Sequence, residues 1–190
     1  MSHLFAYLAR MNFIRRWGLM HNTYPENIQE HSLRVAMIAH ALAVIRNRLY
    51  GGHVNPERAA VLALFHDASE VLTGDLPTPV KYFNPDIRTA YQAIESVAKQ
   101  KLFDMVPAEL HADYRALFLD GDGECGQLVK AADRLAAYLK CLEELSAGNH
   151  EFSRAEKTLR ESVENLDLPE VVYFLRTFAP SFKLTLDELG

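Results

Sequence analysis

Residues 61–67 read Val61-Leu62-Ala63-Leu64-Phe65-His66-Asp67, so that a histidine and an aspartate close a run of apolar residues. An unpaired polar side chain is costly to bury in such a run. Two further residues of the same types, His31 and Asp133, also occur in apolar stretches with helical spacing. Two imidazoles and two carboxylates are ligands of hydrolytic divalent metal sites. We therefore predict that these four residues meet at one metal ion.

The sequence around this motif predicts helices throughout. One helix begins at Asn27, a good N-cap residue with Glu30 at the capping-box position. Its apolar stripe consists of Ile28, Val35, Ile38, Leu42 and Ile45. Another begins at Asn55-Pro56 and is expected to end near Gly74. The segment Asp75–Pro79 is expected to be a rigid loop, because each proline restricts itself and the residue before it.

The remaining segments follow the same pattern. Further helices are expected at about 3–12, 84–103, from Pro107 onward, 124–147, 150–165 and 169–178, with a loop at Asp120–Gly123. Gly148 is expected to stop the long helix before it. No alternating strand pattern of any length occurs. The sequence therefore predicts one all-α domain over residues 1–190.

The composition limits the possible partners of this 190-residue chain. A net charge of −5 predicts no general attraction to nucleic acid polymers. The longest apolar run, Val35–Ile45, contains His40 and is too short to cross a membrane. Cys125 and Cys141 are expected on one helix, roughly 24 Å apart, too far for a disulfide. We expect a cytoplasmic protein, although an acid-free, Arg-bearing start before Glu26 leaves a transit peptide as an alternative.

Helical geometry predicts that the candidate ligands point inward. His31 lies on the apolar stripe of its helix, and Asp133 lies beside the stripe 128, 132, 135, 139, 142. A metal ion would satisfy two buried carboxylates and two imidazoles at once. The alternative is that each residue is simply hydrogen-bonded within the core.

Glu70 and Asp75 are the candidates for proton transfer. On a continuous helix, Glu70 is i+4 from His66 and i+3 from Asp67, so the three share a face. A carboxylate there can orient water or act as general acid or base. Asp75 follows at the start of the proline-rich loop. The alternatives are an exposed helix residue for Glu70 and a turn-forming aspartate for Asp75.

Arg16-Trp17 offers a binding site for a phosphate ester. The planar guanidinium of Arg16 can bind phosphate with two hydrogen bonds. Trp17, the one tryptophan of the chain, can pack on a base or a sugar. The alternative is a surface arginine beside a core tryptophan.

The order His31 … His66-Asp67 … Asp133 resembles the H…HD…D signature of the HD-domain superfamily of metal-dependent phosphohydrolases. The resemblance extends to NIQEHS at residues 27–32 and FHDASEVLTGDLPTPVKYF at 65–83. It also includes the Arg16-Trp17 pair and the segment AYLKCLEEL at 137–145. In these motifs the chain is similar, over essentially its whole length, to the bacterial 5′-deoxynucleotidases of the YfbR type.

This resemblance implies an all-α HD-domain helical bundle, a homodimer, and one divalent transition metal per subunit: Co, Mn, Zn, Ni, Fe or Cu. It implies hydrolysis of deoxyribonucleoside 5′-monophosphates to deoxyribonucleosides and phosphate, with discrimination against ribonucleotides. On the matched positions, the implied metal ligands are His31, His66, Asp67 and Asp133. The implied catalytic residues are Glu70 and Asp75. The implied substrate contacts are Arg16, Trp17, His31, Asp67, Asp75, Leu76, Pro77, Thr78 and Asp133.

Two other functions remain open at this point. The four ligands alone also fit a cyclic-nucleotide phosphodiesterase, a ppGpp hydrolase or a dNTP triphosphohydrolase. The loop after the His-Asp pair favours a monophosphatase, and a triphosphate would require more basic residues than Arg10, Arg15 and Arg16. A binding module that keeps the fold without catalysis would have lost a ligand or Glu70, and neither is lost here.

Overall fold

The computed structural model describes residues 1–81, 83–119 and 123–190, and it is built from helices. The α-helices are α1 Leu4–Leu8, α2 Ile28–Leu49, α3 Pro56–Phe65, α4 Glu70–Thr73, α5 Thr78–Lys81, α6 Pro85–Phe103, α7 His111–Phe118, α8 Gly123–Ser146, α9 Ser153–Glu164 and α10 Pro169–Thr177. Short 3-10 helices lie at Ala9–Phe13, Ala108–Leu110, His150–Phe152, Ala179–Lys183 and Leu186–Glu188. Within these ranges the only extended pairing is one antiparallel bridge, between Arg15 and Asn27. The prediction of an all-α, single-domain fold is confirmed.

The core lies where α2, α3 and α8 pack against one another, with α9 and α10 closing it. Its central side chains, among them Leu42, Leu135 and Leu139, are fully buried. A smaller apolar cluster joins α1 to the ends of α6 and α7 through Leu4 and Phe103. The candidate ligands His31 and Asp133 lie on α2 and α8, so the main core holds the two helices that carry them.

Several helix ends follow directly from the sequence. The Asn27 side chain accepts from the Glu30 backbone N–H at 2.9 Å, and the Glu30 carboxylate accepts from the Asn27 N–H. This capping box is the predicted one. Asn55 caps α3 in the same way. Gly148, at φ 84°, follows α8 in a left-handed conformation that glycine adopts without strain.

The prediction of one helix from Asn55 to Gly74 is wrong. Helix α3 ends at Phe65, and turns at residues 66–69 precede the short α4. The His66 ring explains the break, because its Nδ1 lies 2.7 Å from the Ala63 carbonyl. That carbonyl would otherwise accept from the Asp67 N–H. The hydrogen bonds that follow instead connect residues three apart, such as Ala68 N–H to Phe65 O.

Three other predictions need correction. The N-terminal helix is α only over Leu4–Leu8 and continues as a 3-10 helix to Phe13. The loop predicted at 75–79 ends in the helix α5, where Pro79 occupies the first turn and needs no N–H. The helix expected from 150 begins with a 3-10 turn. Residues 120–122 of the loop predicted at Asp120–Gly123 lie outside the described residues.

The structure can be compared with two further predictions, those for the two cysteines and for crossing a membrane. Cys125 and Cys141 are both buried on α8 and remain thiols. Burial, together with the nearby Glu156, raises the pKa of Cys141 to about 12. None of the described helices combines the length and the apolar character needed to cross a membrane.

A buried ion pair attaches the segment before α2 to the end of α8. The Glu144 carboxylate, fully buried, accepts from the backbone N–H groups of Thr23 at 2.9 Å and Tyr24 at 3.0 Å. It also accepts from Asn149 Nδ2 at 2.8 Å and from Lys140 Nζ. Although burial opposes ionisation, these hydrogen bonds, the one from Lys140 first, lower the pKa of Glu144 to about 2.

We expect Glu144→Gln to destabilise the protein by about 3–5 kcal/mol at pH 7, because Lys140 would keep a buried charge without its partner. The folded pKa of about 2 lies below the ordinary value of 4.5, so this stabilisation is present above pH 4.5 and is lost as the pH falls toward 2. Urea unfolding at several pH values measures both effects. Glu143→Gln is the control, since its ion pair with Arg34 is about one-third exposed and should contribute at most about 1 kcal/mol. Equal effects of the two changes would contradict the prediction.

Candidate active site

Three of the four predicted ligands converge from separate helices. His31 is near the start of α2, His66 directly follows α3, and Asp133 lies within α8. Ligand atoms of these three side chains all lie within 4.8 Å of one another. His31 Nε2 is 2.9 Å from Asp133 Oδ1, and His66 Nε2 is 4.0 Å from the same oxygen. This spacing can hold a metal ion.

Asp67 completes the predicted set. Its Oδ2 lies 3.1 Å from His66 Nε2 and 3.7 Å from His31 Nε2. Although burial would raise it, the adjacent His66 and the guanidinium of Arg16 hold the pKa of Asp67 well below its usual range. Asp67 therefore carries a negative charge beside the two histidines, as a metal ligand requires.

The His66 ring has the hydrogen bonding that a metal ligand requires. Its Nδ1 lies 2.7 Å from the Ala63 carbonyl, so the ring proton belongs on Nδ1. Its Nε2 is buried and faces the two aspartates, 3.1 Å from Asp67 Oδ2 and 4.0 Å from Asp133 Oδ1, where a metal ion could take its lone pair in place of a proton. Burial opposes the charged ring, yet Asp67 and Asp133 raise the pKa of His66 to about 9 without a cation. The donor set thus fits a divalent metal.

Arg16 reaches the cluster because its backbone pairs with the start of α2. Its N–H donates to the Glu26 carbonyl at 3.0 Å, beside the Arg15–Asn27 bridge. The guanidinium donates from Nε to Glu26 Oε2 at 3.2 Å and from Nη1 to Asp67 Oδ2 at 3.3 Å. Burial opposes its charge, but nearby carboxylates, Asp67 first, raise the pKa of Arg16 above its usual value. A cation therefore lies beside the candidate ligands.

Trp17 lies next to this arginine in a strained conformation. Its φ is +58°, a left-handed backbone that non-glycine residues rarely adopt. Its ring packs on the buried Phe152 with centroids 5.3 Å apart, and its Nε1 is buried with no described hydrogen-bond partner. Such strain persists only where surrounding contacts impose it, and it is frequent at binding sites.

Glu70 is buried and carries an oxygen, Oε2, that no described residue bonds. Burial first, and then the charges of Asp67 and Asp75, raise the pKa of Glu70 to about 9. Burial likewise raises the pKa of the half-buried Asp75. The helix break at His66 invalidates the i+3 and i+4 argument for Glu70, yet Glu70 remains within electrostatic reach of Asp67.

The loop residues Leu76 and Pro77 are half-buried, and Thr78 is exposed at the start of α5. Their contacts with substrate stay a prediction. Conversely, sequence reasoning missed Glu26, which is buried against both Arg16 and His31. The one signal for Glu26 in the sequence was its position directly before the helix cap Asn27. The chain must turn there to enter α2.

Comparison with known proteins shows the family of the chain. The model of the 5′-deoxynucleotidase YfbR-like family matches residues 3–182. The chain belongs to this family. Among the relatives of this YfbR-like chain, a 5′-deoxynucleotidase of Vibrio cholerae and one of Vibrio vulnificus are each 57% identical over 191 aligned positions. Each alignment covers 100% of this chain and 98% of the relative.

Solved structures support the HD-domain fold of this YfbR-like chain. An HD-domain phosphohydrolase from Listeria innocua superposes with a TM-score of 0.79 at 26% identity, covering 94% of this chain and 87% of that one. An HD phosphohydrolase of cyanophage S-2L superposes with a TM-score of 0.64 at 22% identity, covering 93% and 96%. The second likeness concerns the fold alone.

Proposed function

We propose that this YfbR-like protein hydrolyses deoxyribonucleoside 5′-monophosphates to deoxyribonucleosides and phosphate. The observation that carries the proposal is the contact between Arg16 Nη1 and Asp67 Oδ2 at 3.3 Å. It joins a phosphate-binding cation to a cluster of two histidines and two aspartates. Full-length relatives at 53–57% identity are named 5′-deoxynucleotidases, which supports this choice of substrate.

The residues that would hold the metal are His31, His66, Asp67 and Asp133. The bond between His66 Nδ1 and the Ala63 carbonyl, which turns Nε2 toward Asp67 and Asp133, supports this assignment. Imidazole and carboxylate ligands suit Co, Mn, Zn, Ni, Fe or Cu, one ion per subunit. The cyanophage S-2L phosphohydrolase was solved with dA and one catalytic Zn²⁺, but its 22% identity does not extend that choice to this chain.

In the proposed mechanism the side chains have separate roles. Held by these four residues, a divalent metal would supply Lewis-acid polarisation of the phosphate and activation of a water molecule. Arg16 compensates charge on the non-bridging oxygens, where fixed donors act most strongly. Glu70 and Asp75 orient the attacking water and transfer protons between it and the departing 5′ oxygen. The raised pKa of Glu70, about 9 without a cation, suits a group that can hold a proton at neutral pH.

Substrate contacts and assembly form the rest of the proposal. Trp17 contacts the nucleoside, and Leu76, Pro77 and Thr78 line the sugar-phosphate pocket. An apolar wall from Trp17 or Leu76 would leave a ribose 2′-hydroxyl without a partner, which disfavours ribonucleotides. We further propose a cytoplasmic homodimer in which residues 1–190 form a single HD domain.

A phosphate-release panel tests this function. The purified protein, loaded in turn with Co²⁺, Mn²⁺ and Zn²⁺, would be incubated with dAMP, dCMP, dGMP and dTMP. We expect release from all four and about 5- to 150-fold less from AMP, because an unpartnered hydroxyl costs about 1–3 kcal/mol.

Two further substrates separate the alternative activities. Faster turnover of dATP would indicate a triphosphohydrolase, and faster turnover of 3′,5′-cyclic AMP would indicate a phosphodiesterase. Either result, or no release from any deoxynucleotide with any metal, would contradict the proposal.

A further inference from the structure

Glu26 is a buried acid that touches both functional parts of the candidate site. It is 7% exposed. One of its oxygens, Oε2, lies 3.2 Å from Arg16 Nε and 3.9 Å from His31 Nδ1. A buried carboxylate is costly unless it is paired. Its partners here are a predicted phosphate-binding residue and a predicted metal ligand.

The first contact orients the guanidinium of Arg16. The guanidinium is planar, and its donors point in fixed directions. Glu26 accepts at the Nε edge while Asp67 accepts from Nη1, so the two acids together determine how the plane is rotated. With Nε bonded to Glu26, Nη1 faces the cluster at Asp67. A phosphate at the cluster would then meet the terminal donors of Arg16.

The second contact concerns the ring proton of His31. His31 Nε2 lies 2.9 Å from Asp133 Oδ1, a distance that calls for a proton between them. A metal at Nε2 needs the lone pair of that nitrogen, so the proton of the neutral ring must then be on Nδ1. His31 Nδ1 is buried and bonds no described residue, and the carboxylate facing it is Glu26. The 3.9 Å between Glu26 Oε2 and Nδ1 is longer than a hydrogen bond, so Glu26 acts on the ring proton through its charge.

We infer that Glu26 is a positioning residue that holds the Arg16 guanidinium toward the phosphate and stabilises the His31 ring with its proton on Nδ1. The inference rests on the proposed function for Arg16. For His31 it can be measured without any reaction. Glu26 is not among the proposed metal ligands or substrate contacts, so its effect must pass through these two side chains.

Metal binding tests the His31 contact. Isothermal titration of Zn²⁺ into metal-free protein would compare the wild type with Glu26→Ala and Glu26→Gln. We expect Glu26→Ala to weaken Zn²⁺ binding about 10–100-fold. Glu26→Gln should lose less, because its amide oxygen keeps a partial negative charge on the Nδ1 side of the ring. Zn²⁺ affinity of Glu26→Ala within twofold of the wild type would overturn the role at His31.

Steady-state kinetics with dAMP test the Arg16 contact. At saturating metal, Glu26→Ala should raise KM about tenfold or more, the size of one lost charge-assisted hydrogen bond. Glu26→Gln should reverse most of this rise in KM. In an Arg16→Ala background, adding Glu26→Ala should change KM no further, because the contact is already absent. Fully additive effects on KM would overturn the role at Arg16.

Glu30 provides the control for a merely structural effect. It lies one turn further along on the exposed side, where its carboxylate completes the capping box of α2. Glu30→Ala should lower the melting temperature without changing Zn²⁺ affinity or KM. If Glu30→Ala changes Zn²⁺ affinity and KM as much as Glu26→Ala does, Glu26 acts only through the stability of the protein and the inference fails. If the wild type hydrolyses no deoxynucleotide, the proposed function fails, while the Zn²⁺ titration still decides the His31 contact.

Discussion

Replacing Asp67 by alanine should reduce phosphate release from dAMP by about 10³-fold or more. A catalytic metal contributes several kcal/mol of charge stabilisation in the transition state, and each 1.36 kcal/mol is a factor of ten. Asp67 Oδ2 lies within 3.7 Å of both histidine Nε2 atoms and 3.3 Å from Arg16 Nη1, so its loss would remove a proposed ligand and one of the two carboxylates that bind Arg16. The measurement is phosphate release with a matched metal-content analysis.

The same loss should follow treatment of the wild type with a chelator, and added Mn²⁺ or Co²⁺ should restore only the wild type. Asp86→Ala, an exposed aspartate in the first turn of α6, is the control and should keep full activity and metal content. Asp67→Ala protein that retains one tightly bound metal and turns over at more than a tenth of the wild-type rate would exclude Asp67 as a ligand.

Replacing Glu70 by glutamine should lower kcat about 10²–10⁴-fold with little change in metal content, because an amide cannot transfer a proton. The variant should fold normally. In the metal-free protein the folded pKa of about 9 lies above the ordinary value of 4.5, so the native state loses stability as the pH rises from 4.5 to 9. Glutamine does not ionise, so the variant does not lose this stability at high pH. The metal-free variant should therefore melt at a higher temperature than the wild type at pH 9.

Glu57→Gln, on the exposed first turn of α3, is the matched control and should leave kcat and melting temperature unchanged. A Glu70→Gln enzyme with kcat within threefold of the wild type would rule out a proton-transfer role. A similar loss in kcat accompanied by a loss of bound metal would instead place Glu70 among the ligands.

Local signals in the sequence predicted the helices well where a cap and an apolar stripe coincide. Asn27 with Glu30 and the cap Asn55 mark helix starts that depend on hydrogen bonds between near neighbours. The inward direction of His31 also follows from spacing alone, since it shares a face with Val35 and Leu42, which are fully buried. These are short-range properties of the chain.

The end of α3 shows where such reasoning fails. Residues 56–73 keep helical spacing without a glycine or an internal proline, so periodicity extends the helix to Gly74. The break depends on one side chain, His66, whose Nδ1 binds the Ala63 carbonyl. A histidine can make that bond only where packing holds its ring in place, and pattern alone does not reveal this.

Sequence alone was enough to predict an all-α protein, its family resemblance and the residue types of a metal site, because capping, periodicity and motif spacing are local or compositional. Tertiary structure alone decided which acid pairs with which base. Glu26 lies ten residues from Arg16, and Asp67 lies 51 residues from it, yet both bind the same guanidinium. The 61–67 segment predicted a site that included Asp67, but the Arg16 contact depends on how α2, α3 and the N-terminal segment pack, because hydrogen bonds between distant residues exist only after folding.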